Sequence, residues 1–477
     1  MSRFAPIQHP QPQNNAVISD TYSLGFSDPT DSYALHSKKG LDVAMIERIS
    51  AEKDEPAWML ATRLEAYKTF LAKPHHVWLP GTHVLNFEDI SYYLKPVNTR
   101  PQSWDDVPAY IKNTFDRIGV PQAERDHLAG LTAQYESEKI YGSIKKIWAD
   151  KGVIFLSMDE GLKQYPDLVQ EYFGKVIPTG DNKFSALNTA CWSGGSFVYV
   201  PKGVHIDLPL QTYFRINAQN AGQFERTLII ADEGSQVTYA EGCSSPSYST
   251  ASLHAAVVEI FVKKGARVQY ITVQNWYKDV YNLVTKRAWV EEEGHMEWLD
   301  CNLGSKLTVK YPSFILAGKG ARGETMSIAV ASGDQHQDTG SKAIHLAPYT
   351  SSTIISKSIC KGGGRTTYRG MVNIGPNAHG SKNKVVCDAL IFDPESRSDT
   401  YPTERVFTND VSLEHEATVS RIGEDQLFYL ISRGLTEEEA GKMIVRGFAE
   451  PLVKKLPMEF AVEMNRLIDL EMEGSVG

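Results

Sequence analysis

The sequence predicts a mainly β protein in which a β-solenoid core lies between two helical regions. Over residues 185–407, short β-branched runs alternate with Gly, Asn and Ser turns, and helical periodicity is absent. Within this segment Gly234, Gly265, Gly294 and Gly320 recur at intervals of 31, 29 and 26 residues. A period of this size is typical of one coil of a solenoid, in which a coil buries its inner face only by stacking on its neighbours. An irregular β-sandwich with coincidental spacing is the alternative interpretation.

The amino-terminal part of the chain is expected to contain a flexible tail and then a helical region. We assign residues 1–40 to the tail because their first stretch is polar, rich in Pro and Gln, and lacks an apolar core. We assign residues 41–185 to the helical region because residues 42–71 and 104–119 carry apolar side chains at three- and four-residue spacing. An Asp-Glu-Pro triplet should divide the first of these stretches into two helices. Residues 153–156 could form a strand.

Residues 186–412 make up the predicted core, and residues 413–477 are expected to be a second helical region. In the latter, Thr436 and Glu439 have the spacing of a capping box, which marks the start of a helix. Pro457 should open another helix after it. A short helical appendage of this kind is also a suitable place for a separate motor subunit to dock.

The glycine spacing also predicts which side chains meet on adjacent coils. Cys243 follows Gly234 by nine residues, and Gln274 follows Gly265 by nine. If these glycines mark equivalent corners, the two side chains lie one strand apart, ~4.8 Å, and both point into the solenoid. Because buried polar groups need partners, such a column of Cys, Gln and neighbouring Arg or Lys suggests a polar passage.

Composition and missing motifs exclude several classes of function. The net charge of -9 and the lack of a basic arm argue against nucleic-acid binding. No apolar run approaches the ~20 residues that span a bilayer, and no secretory signal is apparent, so we expect a cytoplasmic protein. The phosphate-binding pattern Gly-x-x-x-x-Gly-Lys-Ser/Thr is absent, which predicts that the chain does not hydrolyse nucleotides itself.

The five cysteines are widely spaced and form no Cys-x-x-Cys pair. An odd number of dispersed cysteines argues against a disulfide framework, and the spacing does not suit a self-contained zinc or ferredoxin-type site. Cys191, Cys301 and Cys360 are interpreted as packing residues. Any thiol chemistry must therefore use single cysteines that the fold brings together.

Seven strings in the sequence are long or unusual enough to identify a family resemblance. They are CWSGGSFVYVPKGV (191–204), SLHAAVVEI (252–260), VQNW (273–276), VTKRA (284–288), SKSICKGGGRTTYRG (356–370), CDAL (387–390) and LEHEATVSRIGEDQLFYL (413–430). The chain resembles the SufB family, the scaffold subunits of the SUF iron–sulfur cluster assembly machinery, from about residue 40 to its end. The resemblance implies a right-handed parallel β-helix flanked by helical regions. It also implies a transient cluster of the [4Fe-4S] type and a reduced flavin bound by the whole complex.

The resemblance assigns roles to particular residues. Persulfide sulfur would enter at Cys243 and travel to Cys387, where the cluster is assembled. A further set of residues would line the path between the two cysteines: Arg215, Asn217, Gln274, Trp276 and Lys286. Glu416 would be a carboxylate ligand of the cluster, and His415 beside it is a further candidate ligand. Soft thiolate and hard carboxylate ligands together suit a cluster that must later leave.

The resemblance also implies partners. An ABC-type ATPase, SufC, would dock on the carboxy-terminal helices, and the paralogue SufD or a second SufB would pair along the β-helix. Sulfur would come from a SufS-type cysteine desulfurase through a SufE- or SufU-type transfer protein. Because Cys387 and Glu416 do not reach the four ligands of a cubane, the others must come from a partner, a second copy or small thiols.

Two rival interpretations remain open at this point. A polysaccharide lyase or hydrolase would need clustered carboxylates on one coil face, and the carboxylates here do not recur in register. A purely structural subunit of the SufD kind would need neither a cysteine at position 387 nor a carboxylate at 416. The segment 392–406 also departs from the commoner family version, and no cysteine precedes Cys191 or follows Cys387.

Overall fold

The computed structural model describes residues 33–75, 79, 81–82, 85–96, 107–109, 111–112, 128–218, 220–245 and 252–473. Most of the expected tail and most of the helix predicted over residues 104–119 lie outside this set. The first pair of strands, β1 (Leu35–His36) and β2 (Leu94–Lys95), forms a small antiparallel sheet.

The core is a β-solenoid of about eight turns, as the glycine spacing predicted. Two large sheets form its walls, and strands from successive coils are parallel neighbours in each sheet. The ten-stranded sheet contains β3 (Gly130–Tyr135), β4 (Glu138–Ile144), β7 (Leu210–Arg215), β10 (Gln236–Ser244), β13 (Arg267–Trp276), β15 (His295–Gly304), β18 (Arg322–Ser332), β20 (Ser351–Lys361), β22 (Ser381–Ile391) and β24 (Val411–Arg421). The twelve-stranded sheet contains β5 (Ile154–Ser157), β6 (Ser196–Val200), β8 (Gly222–Gln223), β9 (Arg226–Ala231), β11 (Ser252–His254), β12 (Val257–Val262), β14 (Val280–Val290), β16 (Leu307–Lys310), β17 (Ser313–Leu316), β19 (His336–His345), β21 (Arg365–Ile374) and β23 (Arg397–Val406).

The predicted glycine corners stack on one another along the solenoid. Gly234 N donates to Lys264 O at 2.9 Å, and Gly265 N donates to Glu292 O at 2.8 Å. Both glycines have positive φ angles, 64° and 66°. Residues that carry a Cβ adopt this left-handed conformation only at an energetic cost, whereas glycine does not. In the next coil it is Glu293, with a φ of 53°, that takes the left-handed conformation at this corner.

Apolar side chains fill much of the space between the two sheets. Tyr239, Tyr270 and Trp298 come from β10, β13 and β15, and their rings contact in sequence with centroids 4.9 and 5.3 Å apart. Burial of this apolar surface is the main stabilising contribution to the stack, since a single coil could not exclude water from its own inner face.

Helices cover the outer faces of both sheets. The nine described helices are α1 (Val43–Lys53), α2 (Ala57–Ala72), α3 (Lys146–Ala149), α4 (Met158–Gln164), α5 (Pro166–Tyr172), α6 (Lys183–Cys191), α7 (Glu424–Ser432), α8 (Glu437–Val453) and α9 (Met458–Glu473). The predicted break between α1 and α2 is confirmed at Asp54, which has a φ of 51° and precedes Pro56 by two residues. The capping box at Thr436 is also confirmed.

The two groups of helices occupy different sheets. Helices α1, α2 and α6 pack on the twelve-stranded sheet, where Leu283 and Leu307 project outward. Helices α8 and α9 pack on the ten-stranded sheet, where Ile271 and Cys301 belong to the buried contact. Within the described part of the chain, no helix is long and apolar enough to cross a membrane.

The solenoid ends at β23 and β24, which each pair with only one neighbouring strand. Most of their side chains are exposed. Strand β24 starts at Val411, so the expected boundary between residues 412 and 413 lies inside this last strand. At the other end, β3, β4 and β5 come from the region expected to be helical and extend the two sheets, and the strand considered at residues 153–156 is present as β5.

Candidate functional site

Cys243 and Gln274 occupy the same register position on adjacent strands, which confirms the prediction from the glycine spacing. The next strand continues this column with Asn302. Cys243 is 4% exposed and packs among apolar residues that include Phe214 and Trp276. The thiol therefore lies inside the solenoid wall, beside the polar side chains described next.

Lys286 lies at the centre of a buried charged cluster. Its Nζ donates to Glu241 Oε1 at 2.8 Å and to Thr272 Oγ1 at 2.5 Å, and lies 3.6 Å from Asp300 Oδ1. Burial lowers the pKa of Lys286, but the carboxylates of Glu241 and Asp300 outweigh burial and raise the pKa overall. Lys286 is therefore an ammonium group held inside the core by two carboxylates.

Lys310 is a second buried lysine, and it reaches the interior from β16. Its Nζ donates to Gln274 Oε1 at 3.1 Å and to Asp300 Oδ1 at 3.2 Å, and its side chain is fully buried. Burial lowers the pKa of Lys310; Asp300 opposes this change and Lys286 adds to it. The two lysines and the two carboxylates carry no net charge together.

A hydrogen-bonded chain continues from Gln274 to a buried histidine. Asn282 Nδ2 donates to Gln274 Oε1 at 2.9 Å, so the amide oxygen of Asn282 is free to accept. It lies 2.7 Å from His254 Nδ1, which must therefore be the donor, and His254 Nε2 lies 2.7 Å from Glu225 Oε2. Burial lowers the pKa of His254, but Glu225 outweighs it and the pKa is raised. His254 is thus held as an imidazolium between two acceptors.

Trp276 lies against this chain, since its ring centroid is 4.7 Å from that of His254. Burial raises the pKa of the Cys243 thiol well above its usual value, and the carboxylates of Glu241 and Glu225 raise it further. Lys286 and Lys310 act in the opposite direction. The resting state of Cys243 is therefore the thiol, and the two lysines are the groups that favour its anion.

Two of the predicted path residues lie in a separate group near the chain's first described residues. Arg215 Nη1 donates to Ser244 Oγ at 3.2 Å, one residue beyond Cys243. Asn217 Nδ2 donates to the Tyr33 hydroxyl at 3.0 Å, and that hydroxyl donates to Glu136 Oε1 at 2.9 Å. The structure thus brings Gln274, Trp276 and Lys286 together around the central polar chain and places Arg215 and Asn217 in a separate group. Arg215 shares its register position with Ser244, so it projects from the face of the sheet opposite to Cys243.

Cys387 lies on the inner face of the ten-stranded sheet near the bare end of the solenoid. It is 6% exposed, and it continues a column of inward residues whose registers pair Asp300 with Ser327, Ser327 with Ser356, and Ser356 with Cys387. Cys243 is on β10 and Cys387 is on β22, which are five strand spacings apart in this sheet. The two cysteines are therefore separated by ~24 Å across the sheet. The two cysteines therefore face the same interior but do not meet.

His415 and Glu404 meet beside the Cys387 thiol. Cys387 Sγ lies 4.0 Å from His415 Nε2, and His415 Nδ1 lies 2.8 Å from Glu404 Oε1. When Nδ1 donates to this carboxylate, the neutral imidazole of His415 presents the lone pair of Nε2 toward the sulfur. Burial raises the pKa of the Cys387 thiol to about 12, the Tyr368 hydroxyl lowers it, and Asp388 raises it.

Glu416 projects from the opposite face of β24. It shares its register position with Val386, whereas Ala417 pairs with Cys387 and His415 pairs with Val385. Because side chains alternate between faces along a strand, His415 faces the interior with Cys387 and Glu416 faces solvent. Within one chain the structure brings Cys387 and His415 together and leaves Glu416 apart from them.

Several residues of this interior were not predicted from the sequence. They are Glu225, Glu241, His254, Asn282, Asp300, Lys310, Tyr368 and Glu404. A signal was present for two of them, because Asp300 and Lys310 are single charges inside the mainly apolar runs WLDCNL (298–303) and LTVKY (307–311). A charge at an inward position of a strand requires a partner, and each of these two supplies it for the other.

The remaining cysteines occupy packed positions. Cys191 is on α6, Cys301 lies under the carboxy-terminal helices, and Cys360 Sγ lies 3.0 Å from Thr366 Oγ1. Among the residues that the structure describes, no group of three or more His, Cys, Asp or Glu side chains is arranged to hold a metal ion.

Comparison with known proteins identifies relatives over almost the whole chain. The family "SUF system FeS cluster assembly, SufBD core domain" matches residues 214–448, and "SufBD protein N-terminal region" matches residues 120–212. An "Iron-sulfur cluster assembly SufBD family protein" of Staphylococcus epidermidis is 57% identical over 96% of this chain and 98% of its own length. Proteins of the same description from Staphylococcus haemolyticus and Staphylococcus aureus are 57% and 56% identical over the same shares.

Proposed function

The chain belongs to the SufBD family of iron–sulfur cluster assembly proteins, and from that premise we propose that it is the SufB-type scaffold of a SUF complex. In this role it builds a cluster from persulfide sulfur and iron and passes it to acceptor proteins; the cluster is its cargo. The observation that carries the proposal is the pairing of Cys387 with His415 at the bare end of a polar interior that begins at Cys243.

Sulfur enters this scheme at Cys243. The Cys243 thiolate attacks the terminal sulfur of a donor persulfide, R–S–SH, which forms Cys243–S–SH and releases R–S⁻. The thiol must first lose its proton, and Lys286 and Lys310 are the buried cations that favour its anion. A SufS-type desulfurase with a SufE- or SufU-type transfer protein is the donor that this chemistry requires.

Iron is held at the other end of the interior. Cys387 offers a soft sulfur ligand, and His415 Nε2 offers an imidazole nitrogen whose orientation is set by Glu404. The role of Glu416 as a cluster ligand stays a prediction from the family resemblance. Glu416 and Cys387 could bind the same iron only if a movement of β24 or the binding of a partner brought the two side chains together. The missing ligands of a [4Fe-4S] cluster are supplied in this proposal by the partner subunit.

The bare end of the solenoid is where that partner would pair. Strands β23 and β24 each have an unpaired edge, and apolar side chains such as Tyr401, Val406 and Val419 are exposed there. An exposed edge of this kind is a template for pairing with a second chain. A SufD paralogue or a second copy of this chain fits that surface, next to Cys387 and His415.

The carboxy-terminal helices offer the docking site for an ATPase of the SufC type. Phe428 and Tyr429 on α7 are 73% and 57% exposed, which is unusual for large apolar side chains. A cavity of about 470 Å³ lies beside them, lined by Asp425, Gln426, Tyr429, Leu430 and Ile444. The scaffold itself is proposed to be non-enzymatic and cytoplasmic, and reduced flavin to be a ligand of the assembled complex.

Anaerobic reconstitution of the chain with its partners, iron and sulfide tests the proposal. Cys387→Ser should lose most of the cluster absorbance, whereas Cys360→Ser, which removes another buried inward thiol, should retain it. Equal cluster formation in wild type and Cys387→Ser would refute the scaffold assignment. That result would instead favour a SufD-type structural subunit, the alternative that needs no thiol at position 387.

A further inference from the structure

Two columns of polar side chains face each other between the central charged cluster and Cys387. On the ten-stranded sheet the column runs from Asp300 through Ser327 and Ser356 to Cys387. On the twelve-stranded sheet the registers pair Lys310 with Thr339 and Thr339 with Tyr368. We call these two facing columns the inner lane; its members are Asp300, Ser327, Ser356, Cys387, Lys310, Thr339 and Tyr368.

Both ends of the inner lane hold hydrogen-bond donors that are not fully used. Lys310 Nζ has three donors, and among the described residues it uses two, one for Gln274 and one for Asp300. At the other end, Tyr368 is 7% exposed, and its hydroxyl meets the weakly accepting sulfur of Cys387 without an oxygen or nitrogen partner among the described residues. Buried donors without acceptors are costly, so these two ends suit an acceptor that is absent from the chain itself.

The length of the interior decides the form in which sulfur can cross it. Cys243 and Cys387 are ~24 Å apart by strand count. A persulfide adds one sulfur at about 2.05 Å from Sγ, so a persulfide fixed on Cys243 cannot reach Cys387. Two cysteines lie between them in the same sheet, and neither can relay a persulfide. Cys301 faces the outer helices and not the interior. Cys360 faces the interior, but its strand is four strands from that of Cys243, ~19 Å. Sulfur must therefore leave Cys243 as a small free species.

We propose that the inner lane is a binding path for hydrosulfide, HS⁻, and that Lys310 is the residue that captures it. This inference rests on the proposed function. The releasing step is Cys243–S–S⁻ + 2 RSH → Cys243–SH + RSSR + HS⁻, in which RSH is a low-molecular-weight thiol. The S–S bond of the persulfide breaks and its outer sulfur is reduced, while the two thiols are oxidised to a disulfide.

The charges at the head of the lane agree with this assignment. Lys286 and Lys310 balance Glu241 and Asp300, so a monovalent anion that binds Lys310 meets no net negative charge from these four side chains. Beyond Lys310 the lane contains only hydroxyl groups, which donate to an anion without holding it as strongly as a charge does. Binding is thus strongest at entry and weaker toward Cys387.

A single-turnover experiment on the full chain with its partner subunits tests the lane. Cys243 is loaded with ³⁵S persulfide from a desulfurase and labelled cysteine, and the donor is removed by gel filtration. Ferrous iron and a small thiol are then added, and protein-bound acid-labile ³⁵S is compared with ³⁵S released into solution. The loading step reports on Cys243 and the retained label reports on the lane.

The informative variant is Lys310→Met with Asp300→Leu, which removes the charged pair without leaving an unpaired charge. Replacing a buried ion pair with apolar residues usually preserves the fold. Because Lys310 also favours the Cys243 thiolate, the retained label is expressed per loaded Cys243. This ratio should fall by about tenfold relative to wild type, equivalent to ~1.4 kcal/mol. Lys342→Met is the matched control, because Lys342 lies on the outer face of β19 over the Tyr311 ring, 5.1 Å from its centroid, and should retain as much label as wild type.

Retention equal to wild type in the double variant would overturn the proposal. If the double variant loads poorly, Ser356→Ala decides, because it removes a lane hydroxyl and no charge; unchanged retention there also overturns the proposal. Failure of the proposed function has a different signature. Cys243→Ala would then deliver as much sulfur to the cluster as wild type, whereas failure of the lane alone leaves Cys243 essential and Lys310 dispensable.

Discussion

Asp300 and Cys387 occupy the same register position on strands three apart in the ten-stranded sheet, with Ser327 and Ser356 between them. The separation is therefore ~14 Å along a line of inward-facing side chains. This relationship joins the buried charges around Lys286 to the thiol at the bare end of the solenoid. Cys243 lies beside the charged cluster at one end of this line, and Cys387 lies at the other end.

Glu404→Gln should reduce cluster assembly although it changes no candidate ligand. Glu404 Oε1 accepts from His415 Nδ1 at 2.8 Å and so holds Nε2 toward Cys387. Loss of such an orienting carboxylate typically costs 10- to 100-fold in metal-site function, and we expect a fall of about tenfold in the rate of cluster formation. The measurement is the growth of thiolate-to-iron absorbance under anaerobic conditions.

Glu395→Gln is the matched control for that experiment, because Glu395 is an exposed carboxylate in the turn before β23. It should form cluster at the wild-type rate. If Glu404→Gln also does so, His415 is not oriented by Glu404 in the working protein.

The sequence predicts the polar column at Cys243 better than the surroundings of Cys387. Positive-φ glycines mark the coil corners, so counting from Gly234 and Gly265 gives the correct register of Cys243 and Gln274. No such marker links the two sheets across the interior, and the contact between Lys310 and Asp300 depends on that link. Counting residues along one strand therefore could not predict the ion pair between Lys310 and Asp300.

The family resemblance transfers residue identities and does not transfer the face of a strand. His415 and Glu416 are adjacent in sequence, so they must project from opposite faces of β24. Only the register with β22 decides which of them joins Cys387. The orienting partner, Glu404, comes from the other sheet and from a segment where this chain departs from the commoner family version, so no pattern in the sequence predicts it.

Tyr33→Phe should increase the rate at which Cys243 is alkylated. Tyr33 packs at the edge of the apolar cluster that contains Cys243, and its hydroxyl links Glu136 to Asn217. Each of these two hydrogen bonds contributes ~0.5–1.5 kcal/mol, so their loss should raise transient opening of this edge of the cluster by about tenfold. Iodoacetamide labelling followed by peptide mass spectrometry measures the rate.

Tyr67→Phe controls for the loss of a tyrosine hydroxyl, since Tyr67 donates to Leu41 O at 2.7 Å on a helix away from Cys243. Labelling of Cys243 should be unchanged in this variant. Equal rates in Tyr33→Phe and Tyr67→Phe would mean that the first described segment does not control access to Cys243.

Glu471→Gln should stabilise the protein at about pH 8 and have little effect at about pH 4.5. Burial raises the pKa of Glu471 from 4.5 to about 7, opposed by the Ser332 hydroxyl and by Lys361. Folding therefore favours the protonated carboxyl: its stabilising contribution is complete below the unfolded pKa, declines as the pH rises, and is lost above the folded pKa. Gln resembles the protonated form, so the gain at the higher pH is at most about 3 kcal/mol.

Thermal unfolding at both pH values measures this effect, and Glu450→Gln on the exposed side of α8 is the control. A Glu471→Gln variant with the same pH dependence as wild type would show that this carboxyl does not titrate with the docking of α9.

Gly304→Ala should destabilise the fold far more than Gly333→Ala, although both glycines have positive φ, 70° and 59°. A Cβ on Gly304 would lie 1.6 Å from the carbonyl oxygen of Trp276, whereas a Cβ on Gly333 would meet nothing within 4 Å. The Gly333 variant should lose only the ~1–2 kcal/mol that a left-handed L residue costs.

The Gly304 variant must also push β15 away from β13 at the position of Trp276, which contacts His254 and lies in the cluster around Cys243. We therefore expect insoluble protein, or a variant whose Cys243 is alkylated readily at temperatures where Gly333→Ala is still protected. Similar melting temperatures and similar labelling in the two variants would contradict the close approach of these strands, and with it the rigid wall that buries Cys243.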